Sequence, residues 1–310
     1  MRFSVEAWAT EYGAPLEGDE LEPTAGEIDP FVERDANAWE PIDPPVGEVP
    51  GKVLFTDGVR RIEARVWIED ATGRLRPGVC ASYAAGVMCC DGRATLLEAR
   101  VERGLFSAVM DAEAISCRHA TYEVRRATGE SPQDLWLAIQ ERMGMLEAEL
   151  ARGHDPDLVI VDGPLRGLHG LTNVVGYVKT HHVGYLPEPL DSVVGELKPG
   201  QRTPIFLTLG RFSRFSWYLR LPGAEGHTWA GIVRCESTAD SDIADVIVRA
   251  DQVTALLPRF ASEGYKDPRA PQNLYPIAGL ERALRRRLGD PGLMYRSLRS
   301  AAACVADAAS

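Results

Sequence analysis

Two aspartates stand where short apolar runs end, and each is followed by a glycine. The run VLFT leads into Asp57-Gly58, and the run LVIV leads into Asp162-Gly163. Ligands of open α/β sheets collect at the carboxyl ends of strands, so two carboxylates at such ends can face one cleft. Asp-Gly is also a favoured turn dipeptide, so either Asp-Gly pair, taken alone, could be a turn without a functional role.

A predicted helix from Pro132 to Arg152 supplies a third acid, Glu147. This residue lies at the margin of an apolar stripe, and a carboxylate drawn into such a stripe costs several kcal/mol unless it is paired or bound to a metal. The alternatives for Glu147 are a partner arginine or lysine, or simple exposure at that margin. The stripe has helical spacing and consists of Trp136, Ile139, Met143, Leu146 and Leu150.

Three carboxylates that converge from two strand ends and a helix would form an oxygen-rich site. Such a site suits Mg²⁺ or Mn²⁺, which prefer hard oxygen ligands. These ions can activate water, clamp the attacking and leaving oxygens and neutralise charge on a phosphodiester. The expected chemistry is therefore metal-assisted phosphodiester hydrolysis.

The rest of the sequence predicts the elements that would position these acids. After Gly58 an alternating strand is expected, with Ile62, Ala64, Val66 and Ile68 on one face. Strands followed by a helix, a buried strand and terminal helices predict an α/β domain with a mixed β-sheet flanked by helices. Further strands are expected near 76–90, 94–108, 158–161, 174–181, 204–209, 215–221 and 229–235, and additional C-terminal helices near 251–263, 276–289 and 290–304.

The net charge of −11 is concentrated at the start of the chain. Residues 1–50 hold 13 of the 45 acidic residues and two of the 34 basic ones, which leaves 32 of each in 51–310. We interpret 1–50 as an acidic, Pro-rich segment, either solvated or docked on the body, and 51–310 as one domain. A neutral body does not exclude DNA, because phosphate contact depends on a local basic groove.

Several function classes are excluded or disfavoured by what the sequence lacks. No GxxxxGK[ST] loop occurs, so the chain encodes no ATPase motor of that type, and no GxSxG elbow points to a serine hydrolase. Six scattered cysteines without a CxxC pair are expected to be reduced thiols. No long apolar run and no signal peptide are present, so we expect a cytoplasmic protein.

Two groups of side chains are candidates for contact with DNA. The first is a group of arginines in the predicted terminal helices, which could bind the DNA backbone. A simpler explanation is that these arginines form a solvated helix face. They are Arg282, Arg285, Arg286, Arg287, Arg296 and Arg299. Arg211 and Arg214 are set among aromatic residues that could stack on unpaired bases, although strand aromatics more often pack in a core.

Several short motifs, in this order and spacing, resemble the NurA nuclease family. They are Asp57-Gly58 on a first strand, a helical glutamate about 15 residues before Asp162-Gly163-Pro164-Leu165, Gly176-Tyr177-Val178-Lys179 in the next strand, and Asn273-Leu274-Tyr275-Pro276 at a terminal helix. The resemblance spans roughly residues 50–290. It implies an RNase H-like core, DNA cleavage dependent on Mn²⁺ or Mg²⁺, a homodimer, and partnership with a hexameric HerA-type ATPase in DNA end processing or repair.

The resemblance also assigns roles to individual residues. Asp57, Glu147 and Asp162 would be metal ligands, Lys179 would lie beside the scissile phosphate, and Tyr275 would line the site. Members of the family usually carry a histidine about two helical turns after the Tyr-Pro step.

This chain has no histidine beyond His227. Glu281 could supply an oxygen ligand in place of the missing histidine. The alternative is a catalytically inactive NurA-like scaffold that docks a ring ATPase on DNA. A third interpretation, an unrelated metal-dependent hydrolase of small phosphoesters, is disfavoured by the terminal arginines.

Overall fold

One large mixed β-sheet organises the part of the chain that the computed structural model describes: residues 1–6, 27–45, 47, 49–165, 173–179, 184–210, 213–224 and 226–307. Its strands are β1 (Phe3–Val5), β2 (Ile28–Asp29), β3 (Val53–Glu69), β4 (Leu75–Cys90), β5 (Ala94–Ser107), β6 (Ile115–Cys117), β7 (Ala120–Arg126), β8 (Leu158–Asp162), β9 (Val174–Val178), β10 (Phe206–Thr208), β11 (Arg214–Arg220) and β12 (Ile232–Thr238). The helices are α1 (Pro132–Arg152), α2 (Ser192–Glu196), α3 (Ile243–Leu256), α4 (Tyr275–Arg287) and α5 (Pro291–Asp307), with 3₁₀ turns at Ala36–Ala38 and Leu257–Phe260.

The strand order is β2-β10-β11-β12-β9-β8-β3-β4-β5-β7-β6, and β1 adds to the far end of β3. β3, β4 and β5 form an antiparallel meander, as the sequence predicts. β8 then lies parallel to β3, and β9 lies parallel to β8. The predicted α/β class with a mixed sheet flanked by helices is confirmed.

Helices cover both faces of the sheet. Phe55 and Ile160 point into a core shared with α3 and α4, whereas Leu54 and Val161 point into a core shared with α1. Neighbouring residues of a strand alternate in this way because of the pleat. Cys89 and Cys90 divide between the same two cores, and the six cysteines are free thiols.

Most predicted elements occur near their expected positions, and α1 has the predicted bounds. Ser131 caps its first turn in a reciprocal capping box with Asp134, and Pro132 fits the first helical position. The helix predicted at 251–263 is wrong in its limits, because α3 begins at Ile243, where Asp242 accepts a hydrogen bond from the Ala244 N–H, and only a 3₁₀ turn follows Leu256.

The prediction that Ile62 lies on the same face of β3 as Ala64, Val66 and Ile68 is also wrong. Ile62 packs on the α1 side, whereas Ala64, Val66 and Ile68 pack on the opposite face, in a cluster that includes Leu298 of α5. A β-bulge between Ile62 and Ala64 causes the change. An extra residue in one strand reverses the alternation of its side chains beyond that point.

The described parts of the acidic N-terminal segment are docked on the body. β1 pairs with Val66–Ile68 of β3, and β2 pairs with β10. Glu33 makes a bidentate ion pair with Arg202, whose side chain is 1% exposed and also contacts Asp251. Within the described ranges, no helix is long and apolar enough to cross a membrane.

We predict that Arg202→Met lowers the free energy of unfolding by about 3–5 kcal/mol, because it strands the buried Glu33 carboxylate without its partner. Urea unfolding would measure the change. The matched control is Arg2→Met, since Arg2 pairs with Glu69 at 3.9 Å on the surface and exposed pairs contribute less than about 1 kcal/mol. Equal losses in the two variants would show that the Glu33 pair does not anchor the segment.

Candidate active site

The register between β3 and β8 brings two aspartates together. Thr56 and Val161 form the last pair of this parallel ladder, so Asp57 and Asp162 occupy the next position on each strand. Both side chains point to the α3 and α4 face, two residues after Phe55 and Ile160. Asp162 ends β8 as predicted, but the expectation that β3 stops at Asp57 is wrong. β3 continues to Glu69, and only its pairing with β8 ends there.

Glu147 of α1 reaches the same place from the other face of the sheet, next to Gly58. A Cβ at position 58 would overlap Glu147 Oε1 and would lie 2.9 Å from Met143 Cγ. Among the described residues no strand lies beside Gly58 on the β8 side of β3. Gly58 therefore provides the space through which Glu147 approaches Asp57.

The turn after Asp162 depends on two further glycines. Gly163 has φ +101°, which disfavours any side chain, and its N–H donates to Tyr177 O at 2.8 Å. A Cβ at Gly176 would lie 3.0 Å from Gly163 O, so a glycine there lets the turn fold back onto β9. The buried Glu236 accepts a hydrogen bond from the Leu165 N–H at 3.2 Å and thereby holds the end of this turn.

Lys179 follows β9 and brings a positive charge to the acids. Its Nζ lies 2.7 Å from Asp162 Oδ2 and donates to Asn273 Oδ1 at 3.2 Å. The fully buried Asn273 in turn donates to Asp267 Oδ2 at 2.6 Å. The loop that precedes α4 is thus tied to Asp162 through three consecutive contacts.

The clustered charges shift the pKa values of both aspartates. Burial raises the pKa of Asp57 well above its ordinary value, and the negative charges of Asp162 and Glu147 raise it further, against the opposing effect of Lys179. Burial also raises the pKa of Asp162, although Lys179 partly offsets this effect. Asp57 therefore lies within electrostatic reach of both Asp162 and Glu147, and burial disfavours the ionised forms of the two aspartates.

The donor chemistry of this group fits a hard divalent cation. Asp162 Oδ1 is buried and has no hydrogen-bond partner among the residues that the structure describes, and a buried carboxylate oxygen of that kind is costly unless a proton donor or a cation meets it. As the side chains stand, no three His, Cys, Asp or Glu residues within the described ranges surround one point closely enough to coordinate an ion. Lys179 already neutralises part of the charge in this arrangement.

Glu281 of α4 lies near the same site. Its charge raises the pKa of Asp162, while its own oxygens accept hydrogen bonds from Arg269 at 2.8 Å and Arg285 at 2.9 Å. Burial alone would raise the pKa of Glu281, but these two guanidinium groups outweigh burial and the pKa is lowered. Glu281 is therefore an ionised carboxylate close to Asp162, held by arginines.

Tyr275 begins α4, and its hydroxyl contacts the preceding loop. The hydroxyl donates to Glu263 Oε2 at 2.9 Å and accepts from Lys266 Nζ at 3.0 Å. The contacts described for this hydroxyl are therefore with loop residues and not with the acids. The ring of Tyr275 is half-buried.

The other candidates for DNA contact differ in their surroundings. Arg282, Arg285 and Arg286 are exposed on α4. Arg214 instead donates to Glu236 at 2.9 Å, and Trp217 and Tyr218 are core residues. The β11 aromatics are therefore not a stacking surface, and Arg211 lies outside the described residues.

Sequence reasoning missed three residues that shape the site. The sequence predicts Asp57-Gly58 at the end of an apolar strand, with a turn as the alternative, and neither prediction assigns a role to Gly58, which makes room for Glu147. Asn273 stands in a sequence motif that assigns no role to its side chain, but the structure buries it, so its amide needs hydrogen-bond partners. Glu236 gave no signal in sequence, because its partner Leu165 is 71 residues away.

Fold and site together define a mixed α/β protein in which three acids and a lysine lie near one another where β3 and β8 stop pairing. Comparison with known families then specifies the kind of protein. The NurA domain matches residues 53–284, most of the chain. The chain belongs to the NurA family, a family of nuclease type. No curated protein matches the chain.

We predict that Gly58→Ala lowers the free energy of unfolding by about 1–3 kcal/mol, because the new methyl group overlaps the Glu147 carboxylate. Chemical denaturation would measure the loss. Gly144→Ala is the matched control in α1, since a Cβ there meets nothing within 4 Å and alanine favours a helix. Adding Glu147→Ala to Gly58→Ala should restore part of the stability; no restoration would contradict the proposed contact.

We also predict that Asp57→Asn stabilises the metal-free protein at neutral pH by at least about 1 kcal/mol. Asparagine keeps an acceptor for the Gly58 N–H, which contacts Asp57 Oδ1 at 2.7 Å, and removes the repelled charge. The folded protein holds the Asp57 proton more tightly than the unfolded chain does. The advantage of Asn should therefore be absent below the ordinary pKa of 3.8 and grow as pH rises above it.

Thermal melts across pH 3–8 would measure the Asp57→Asn effect. The matched control is Asp91→Asn, in an exposed Asp-Gly turn. An Asp57→Asn protein that is no more stable than the wild type at pH 7 would mean that the carboxylates do not repel one another in the fold.

Proposed function

We propose that this chain is a divalent-metal-dependent deoxyribonuclease that hydrolyses phosphodiester bonds. Mg²⁺ or Mn²⁺ would be held by Asp57, Glu147 and Asp162. The observation that carries the proposal is that the charges of Asp162 and Glu147 both act on the buried Asp57, together with the buried Asp162 Oδ1, which has no hydrogen-bond partner within the described ranges. Such a group is costly in a fold and is expected where function requires it.

We further propose that β3, β4, β5, β8 and β9 form an RNase H-like core. The support is a five-stranded segment of the sheet in which only β4 runs opposite to the rest. The acids come from its central strand β3, from the adjacent strand β8 and from the helix that packs on one face.

When bound, the metal would supply water activation and neutralisation of the phosphate charge. The protein's own residues prepare the site. The Gly58 N–H fixes Asp57 by donating to Oδ1, and Asn273 holds the ammonium of Lys179 beside Asp162. That ammonium can turn from Asp162 to an arriving phosphate oxygen, which offers it the same kind of acceptor. Burial of Asp57 keeps bulk water from screening these charges.

The proposed partners are DNA, a second copy of the chain and a hexameric HerA-type ATPase, in DNA end processing or repair. Membership of the family supports them. The sequence contains no phosphate-binding loop of the GxxxxGK[ST] type, so energy for movement along DNA would come from a partner. One exposed arginine of α4, Arg285, pairs with Glu281, whose charge acts on Asp162, and thus brings positive charge near the acids.

The second candidate function is an inactive scaffold that docks the ATPase on DNA. The lack of a histidine after Tyr275 favours it, as does the use of Glu281 by Arg269 and Arg285. The retention of all three acids, with Asp57 within electrostatic reach of the other two, favours the active enzyme.

Cleavage of end-labelled single- and double-stranded DNA would test the nuclease proposal, with Mn²⁺, Mg²⁺ or EDTA. We expect metal-dependent cutting that falls by at least about 100-fold in Asp57→Ala and Asp162→Ala, since each removes a group required for the reaction. Asp91→Ala, a distant exposed aspartate, should cut like the wild type. A pure wild-type protein that never cuts, even with its ATPase present, would favour the scaffold.

A further inference from the structure

A large aromatic side chain is exposed beside the candidate active site. Tyr265 lies in the loop between Leu257–Phe260 and α4, and it is 79% exposed. Tyrosine rings of folded proteins usually bury most of their apolar surface, and an exposed ring next to a functional cleft is a common contact for a ligand.

The ammonium group of Lys266 lies near the rings of both Tyr265 and Tyr275. Its Nζ is 4.9 Å from the centroid of the first ring and 5.0 Å from the centroid of the second. Glu263 Oε2 accepts hydrogen bonds from Lys266 and from the Tyr275 hydroxyl, both at 2.9 Å. These contacts fix the two rings relative to one another, and the charges of Glu263 and Lys266 offset each other.

The same loop is joined to the acids. Asp267, the residue after Lys266, accepts a hydrogen bond from Asn273, and Asn273 accepts one from Lys179, which contacts Asp162. Arg269 of this loop also affects the pKa of Asp162. A polymer bound across the acids would therefore pass close to the aromatic pair.

We propose that Tyr265 and Tyr275 form a binding subsite for an unpaired nucleobase of a single DNA strand. The inference rests on the proposed nuclease function and adds to it a binding subsite outside the three acids. Every base offers a flat face to an aromatic ring, so stacking binds single strands without reading sequence. Bases inside a duplex are already stacked on their neighbours and cannot use this platform. Because Glu263 neutralises Lys266, stacking and not charge provides the attraction.

The test measures binding of the full chain to DNA in EDTA, by fluorescence anisotropy of a labelled 20-nucleotide single strand and of a closed hairpin duplex. We expect Tyr265→Ala to weaken single-strand binding on the order of tenfold, within the range for loss of one stacked base. Duplex affinity and the salt dependence of single-strand binding should not change. Tyr265→Phe keeps the ring and should bind like the wild type.

Two controls separate the subsite from other roles of Tyr265. Phe31→Ala removes an exposed ring from the N-terminal segment and should leave DNA binding unchanged. Light scattering of the variants reports whether Tyr265 contacts a second copy instead. The proposal is overturned if the wild type does not bind single strands, if Tyr265→Ala binds them normally, if it weakens duplex binding equally, or if it chiefly changes the oligomeric state.

Binding in EDTA does not require cleavage, so the two proposals fail separately. A chain that never cuts but loses single-strand binding in Tyr265→Ala would retain the subsite without the nuclease. A chain that cuts with metal but binds single strands equally well in Tyr265→Ala would retain the nuclease without the subsite.

Discussion

The burial of the Asp57 carboxylate beside two other carboxylates is the constraint on which the rest of the site depends. Asp57 is only 9% exposed and lies within electrostatic reach of Asp162 and Glu147. Such a group destabilises a fold unless positive charge is supplied. Lys179, paired with Asp162, supplies one positive charge and lowers the pKa of Asp57 in part. Burial, together with the negative charges of Asp162 and Glu147, keeps that pKa raised. A divalent cation is the natural complement to that residual negative charge.

Backbone geometry, rather than side-chain packing, keeps these charges together. The parallel register of β3 and β8 places the two aspartates side by side, and the missing side chain of Gly58 admits Glu147. Gly163 and Gly176 then let the chain turn sharply after Asp162. Glu236 holds that turn and is itself fixed by Arg214 and Arg234. Acids that repel one another could not hold this arrangement alone.

Much of this architecture could be predicted from local patterns. The limits of α1 follow from a capping box and Pro132 at one end and Gly153 at the other. The two Asp-Gly steps after apolar runs indicated the strands that carry the acids. These features depend on residues close in sequence, where periodicity and capping are informative.

The features that could not be predicted depend on contacts distant in sequence. The bulge after Ile62 is set by pairing with β4, and no composition signal marks it. The start of α3 was missed because Asp242 follows a run of polar residues that resembles a loop. The contacts of Asn273 with Lys179 and of Glu236 with Leu165 join segments more than 70 residues apart. Pairings of that kind become visible only in the folded chain.

Anomalous diffraction from crystals grown with Mn²⁺ would test the central claim most directly. The account predicts a manganese peak at about 2.0–2.3 Å from carboxylate oxygens of Asp57 and Asp162, with Glu147 beside it and the Lys179 ammonium moved away from Asp162. A protein saturated with Mn²⁺ that shows no peak between these aspartates, with Lys179 still paired to Asp162, would contradict a metal site formed by the three acids.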